Sequence, residues 1–258
     1  MDQPHEVISR LHDAGVLDGI RWAYRSATAA VLDIYSEDAG LDHTWAGMTR
    51  FTLFRDRLDR VFACEKYAVR PGGDASVSLD LLHAQLTELD IATRPDLPVD
   101  LVDRADLNGS PGWAWGDVRW LLAACPYGGI GQVSWVSKSL TKQRVALQHN
   151  PEPAQPSLFA AGEVDGLEAL FAERRKLDLT TLVVAHSQDI DHGDLELVLG
   201  WPRLNVGGGV AWHWYQDLLG GVPIEPGRRL DVLPQPTIPD TAPDAPVHLR
   251  RNRASGQR

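Results

Sequence analysis

A chain of 258 residues with 43% hydrophobic and 23% charged residues has the material for a buried core, as one large domain or two small ones. Its net charge of -10 argues against a surface that grips nucleic acid or an anionic membrane as a whole, leaving only a local basic patch or the basic C-terminal tail for such a contact. No apolar run approaches the roughly 18 residues of a membrane helix, no basic-then-apolar leader opens the chain, and Cys64 and Cys125 form no CxxC pair, so the expectation is a soluble, acidic, cytoplasmic protein with no membrane partner.

The spacing of apolar residues predicts a short helix over 4–14, ended at Gly15. A longer helix from Gly19 follows, with Ile20, Tyr24, Ala27, Val31 and Ile34 on one face. Thr44 is expected to cap a third helix, whose stripe is Trp45, Met48, Phe51, Phe54, Leu58 and Val61, with Arg50, Asp56, Arg57 and Arg60 off it. The second and third helices should pack as an antiparallel pair. Leu79, Leu82, Leu86 and Leu89 predict a further helix, and the Pro- and Gly-containing stretch 91–111 reads as the connection to a sheet-bearing half.

In that half, 113–125 reads as a short helix from Asp117, and 132–149 as a β-hairpin turning at Ser139–Lys142. Residues 164–176 read as a helix with a basic end. The stretch 179–215 carries the clearest pattern: two apolar runs around an acidic turn, the first apolar on both faces, as expected of a strand at the centre of a sheet. After Gly220, prolines crowd the chain, and the tail ends in LRRNRASGQR. The predicted fold is α+β. A helical N-terminal part (1–91) packs on a mostly antiparallel sheet with two hairpins (112–220), together one domain over 1–220, with a Pro-rich, flexible tail over 221–258.

Three stretches carry groups that could do chemistry. The turn holds Asp189, Asp191, His192 and Asp194 close to His186, carboxylates and imidazoles suited to a divalent metal. The spacing fails the EF-hand pattern, since, counting from Asp189, the glycine comes one position early and Gly200 stands where Glu is required; a wet hairpin turn is the plainer reading. His186 shares a face with Leu182 and Val184, which favours a hydrogen-bonded, half-buried histidine over a ligand, although a pocket would give it acid–base use. Gly207, Gly208 and Gly209 lead into Trp212, His213 and Trp214. If a helix starts near Val210, the two tryptophans lie on different faces and one is left for a partner. Cys125 is a candidate nucleophile only if a histidine stands beside it, and a buried thiol is the plainer reading.

The sequence has no GxSxG, HExxH or Walker motif. Its nine tryptophans favour a non-catalytic binding or assembly component, with a protein partner held by a Trp-rich surface and no cofactor. The alternative is a metal-dependent hydrolase, with nucleic acid among its candidate substrates, using His186 and the Asp189–Asp194 cluster with a divalent metal.

Overall fold

The computed structural model describes residues 4–68, 80–148, 177–206, 208–220 and 223–224. Residues 1–226 form one compact unit, and 227–258 lie outside the described residues. The order is α1 (Pro4–Asp13), α2 (Val16–Ile34), α3 (His43–Val61), α4 (Glu88–Thr93), β1 (Asp103–Arg104), β2 (Gly112–Trp115), β3 (Val118–Ala124), α5 (Leu140–Leu147), β4 (Thr180–Gln188), β5 (Leu195–Pro202), β6 (Trp212–Asp217) and β7 (Pro223–Ile224).

The seven strands form one sheet in sequence order, antiparallel except for the parallel pair β3–β4. Strand β4 is central, as its two apolar faces predicted. Leu182 and Val184 join the core under α1, α2 and α3, while Val183 and Ala185 join a second core under Ile130, Trp135 and α5. The fold is therefore α+β, with the long helices in the N-terminal half and a sheet covered on both faces. None of the described helices is long and apolar enough to cross a membrane.

Local chemistry explains the element ends. Gly15, with φ of 77°, takes the left-handed conformation that stops α1 and lets α2 start at once. Helix α2 thus begins three residues before the expected Gly19. Asp42, not Thr44, caps α3, its side chain accepting from the Trp45 backbone N–H at 2.7 Å. Helices α2 and α3 are antiparallel: Tyr35 lies against His43, and Arg57 donates to Ser26.

Three predicted elements differ in the structure. The stretch 113–125 is not helical; it is the β2–β3 hairpin, with Trp115 paired to Val118 around the turn at Gly116 and Asp117. Strand β3 is buried on both faces, so its apolar residues run on without alternation and mimic a buried helix. The stretch 132–149 is not a hairpin: a 3-10 turn at Trp135–Ser137 leads into α5, whose Val145, Ala146 and Leu147 are all buried against the sheet. The predicted helix over 79–89 is broken: residues 80–83 are helical, and α4 starts afresh at Glu88 from a Thr87–Asp90 capping box. The predicted helix 164–176 lies outside the described residues. So does the expected tail, apart from β7, which pairs with β6 and carries the sheet past residue 220.

Candidate functional site

The side of β4 that faces the helices ends in two polar residues, His186 and Gln188, two apart and so on one face. Across from them runs one face of α3. His43, Gly47, Arg50 and Phe54 recur at intervals of three and four, which stacks them along the helix. The two rows meet in register. Phe54 packs edge-on to the His186 ring at 5.2 Å between centroids, and Arg50 Nη1 donates to Gln188 Oε1 at 3.2 Å. At the open end, His43 Nε2 stands 3.9 Å from the Asp191 carboxylate in the β4–β5 turn.

His186 is fully buried, at 0% exposure, in a box of Tyr24, Phe51 and Phe54. Among the described residues neither ring nitrogen has a hydrogen-bond partner. Burial, with the Arg50 charge beside it, pushes its pKa down to about 3, so the ring is neutral. This corrects the expectation of a half-buried, hydrogen-bonded histidine. The sheet is covered here by α2 and α3 rather than open at its edge, and the box is lined with aromatic carbons.

Arg50 is the second anomaly. It is 7% exposed, its Nε has no acceptor, and among the described residues no carboxylate lies within 4.0 Å of it. The other buried arginines all have one: Arg57 and Arg60 reach Asp56, and Arg119 reaches Asp178. Burial lowers the Arg50 pKa and Tyr24 opposes this, but no acid stabilises the charge. Gln188 Nε2 is likewise buried without a partner. Tyr24 closes the cluster, donating its hydroxyl to the Ser187 carbonyl; burial pushes its pKa up.

The rest of the turn is structural. Asp189 accepts from the backbone N–H groups of Asp191 and His192 and from His192 Nδ1, at 3.0, 3.3 and 2.9 Å. Its carboxylate is thereby committed to turn geometry. Asp194 contributes its backbone carbonyl to Asp189. Among the described residues, Asp191 alone of the four predicted metal candidates joins a set of converging ligands, and its companions are Glu37 and His43. The ligand atoms of these three exposed residues all lie within 4.8 Å of one another.

Cys125 and His186 do not meet. Cys125 belongs to the core on the other face of the sheet, where burial pushes its thiol pKa up, the wrong direction for a nucleophile. On that face Ser187 hydrogen-bonds Glu196, which also accepts from the Gly128 N–H at 2.9 Å.

The Gly-Trp stretch is strand, not helix. At β6 the register shifts: Trp214 opposes Trp201 and Trp212 opposes Pro202, leaving His213 as the extra residue of a bulge. The bulge sends the two tryptophans to opposite faces. Trp212, 1% exposed, donates to the Ile130 carbonyl at 2.8 Å and packs edge-on to Trp135; half-buried Trp214 packs edge-on to Trp201 under the helices. Trp212, expected at a binding surface, is thus a core residue, because β6 is covered by the segment that carries Ile130 and Trp135. His213 is half-buried, its Nε2 unpartnered, and burial, with Arg203 adding to it, lowers its pKa. Gly208 and Gly209 are exposed with positive φ, and Gly207 lies outside the described residues.

Gly47, Glu37 and His43 are absent from the expected site residues, and Arg50, expected off the apolar stripe of α3, is instead buried. The signal for Arg50 and Gly47 lay in the helical projection centred on Phe54, which stacks positions 47 and 50 below it and leads on to the exposed His43 at the rim. No family model, curated protein or solved structure matches the chain.

Proposed function

We propose that this protein is a non-catalytic binding component, and that its ligand site is the α3–β4 seam rather than a tryptophan-rich surface. One observation supports this above the others: Arg50 is a buried guanidinium with no carboxylate beside it among the described residues. Removing a cation from water costs several kcal/mol unless a partner offsets it, and unsatisfied donors at Arg50, Gln188 and His186 add to that cost. Such a cluster, where three chain segments meet, supports a ligand that binds there. Catalysis draws less support. Cys125 and His186 sit on opposite faces of the sheet, each held neutral by burial. The test is a thermal-shift screen of small metabolites on the wild type and on Arg50→Met. Ligands of this site raise Tm only in the wild type; a screen in which every stabilising compound acts equally on both proteins refutes the reading.

A second reading, metal-dependent hydrolysis, draws on Glu37, His43 and Asp191, whose N and O donors suit zinc or manganese. Its test is the Tm in Zn²⁺ or Mn²⁺ against EDTA for the wild type and His43→Ala. A rise present in the first and absent in the second supports it, and equal curves exclude it.

A further inference from the structure

We infer that the α3–β4 seam holds a small oxyanion, a carboxylate or phosphate group, on Arg50, Gln188 and His186, reached past Gly47. The inference rests on the binding reading above and names the chemistry of the ligand.

Charge is the first ground. Among the four buried arginines, Arg50 alone lacks a carboxylate within the described residues. Four acids of the β4–β5 hairpin and the α2–α3 loop are engaged or exposed instead. Asp189 is held by the turn, Glu196 by Ser187 and Gly128, and Glu37 and Asp191 stand exposed around His43. An anion in the seam would be the counter-charge that the protein does not supply.

Hydrogen-bond polarity is the second. Arg50 Nε, Gln188 Nε2 and both His186 nitrogens are buried without partners. The first two can only donate, and a neutral imidazole donates from one nitrogen. A ligand that satisfies them must be rich in acceptors. The planar guanidinium fork matches two oxygens of a carboxylate or phosphate, whereas a cation or an apolar ligand would leave every donor unsatisfied.

Access is the third. Gly47 is half-buried on the same face of α3, one turn from both His43 and Arg50. A Cβ placed on it would meet no heavy atom within 4 Å. Glycine inside a helix is destabilising relative to alanine, and here neither close packing nor backbone conformation calls for it. The missing side chain leaves open space over Gly47, on the helix face that runs from the rim at His43 to Arg50. The rim carboxylates Glu37 and Asp191 oppose an entering anion, but both are exposed, where salt screens them.

The test uses the full-length protein at matched ionic strength, with sodium phosphate or sodium acetate replacing sodium chloride. Binding is read by Tm and by the NMR resonances of the His186 ring. Three variants accompany the wild type: Arg50→Met removes the charge, Gly47→Leu fills the entrance and keeps the charge, and Gly47→Ala controls for helix propensity. We expect a saturable rise in Tm and a shift of the His186 resonances with one or both anions. Affinity falls by roughly tenfold or more in Arg50→Met, the loss expected of a charge-assisted hydrogen bond, falls similarly in Gly47→Leu, and is kept in Gly47→Ala. Which salt acts tells phosphate from carboxylate. An anion effect that persists in Arg50→Met places the ion elsewhere and overturns the inference. If neither anion shifts His186 but a neutral or cationic compound does, the inference fails and the binding reading stands. If nothing shifts His186, both fail.

Discussion

Arg50 and Gln188 join α3 to the end of the central strand by one hydrogen bond, Nη1 to Oε1 at 3.2 Å, and the guanidinium that makes it is buried with no carboxylate beside it among the described residues. The arrangement is the reverse of the other buried arginines of α3. Arg57 and Arg60 converge on Asp56, which also accepts from the Tyr67 hydroxyl at 2.7 Å. One helix thus carries a satisfied cationic cluster and an unsatisfied one, and the two should respond to substitution in opposite ways.

Arg50→Met should leave stability unchanged or raise it by roughly 1 kcal/mol, because relief of desolvation outweighs one modest hydrogen bond. Asp56→Ala should cost roughly 3 kcal/mol or more, since it strands two buried guanidinium groups. Urea unfolding midpoints of the two variants check both. A large loss in Arg50→Met would make that residue a structural one.

His186 makes stability depend on pH. Its folded pKa, about 3, is below its ordinary value of 6.5, so below pH 6.5 the unfolded chain takes up a proton that the folded one refuses. Stability contributed by the neutral ring is complete above pH 6.5 and is lost as pH falls toward 3, at up to roughly 1.4 kcal/mol per pH unit. Urea unfolding between pH 7 and 4.5 should show this slope, and His186→Leu should flatten it. That window lies above the range of Asp56, whose pKa is held at about 2; burial alone would raise it, but hydrogen bonds from Arg60 and Tyr67 win.

Trp212→Ala should destabilise by roughly 3–5 kcal/mol, the usual cost of deleting a buried aromatic. It removes the edge-on contact to Trp135 and the bond to Ile130. Chemical denaturation followed by tryptophan fluorescence measures it. A loss under 1 kcal/mol would mean that the residue stands outside the core.

Gly47→Ala should stabilise by roughly 0.5–1 kcal/mol, the helix-propensity difference, because the new methyl meets nothing within 4 Å. Differential scanning calorimetry would show the matching rise in Tm. A fall would mean that the seam is closed at this point.

How much of this was legible in the sequence follows from what periodicity can report. Helices α1, α2 and α3 were readable because each has one apolar face, and β4 because its nine residues hold no glycine or proline and its middle, Leu182 to Ala185, is apolar on both sides. Strand β3 was misread for the same reason that β4 was read correctly. Both are buried on two faces, but the Val118–Ala124 run has the length of two helical turns, and its turn residue Asp117 is also a good helix starter. The buried arginines were invisible to a pattern that sorts charge outward, since Arg57 and Arg60 are held inside by Asp56, the Ser26 hydroxyl and the Leu81 and Leu82 carbonyls. Met48, counted into the apolar stripe, is 69% exposed for the converse reason: the buried face of α3 is set by Phe54, Leu58 and Val61 and carries Ala46 and Gly47 at its start. The Glu37–His43–Asp191 group joins two loops and a helix start that are far apart in the chain, and local spacing holds no trace of it.

The measurement that bears most directly on the seam as a ligand site is the Arg50 Nε–H resonance during titration with phosphate or acetate. The account predicts a saturable shift and slower exchange with water as an oxygen takes up the free donor, together with movement of the Gln188 side-chain amide. Resonances that stay fixed up to concentrations at which the salt alters the protein only non-specifically would contradict it.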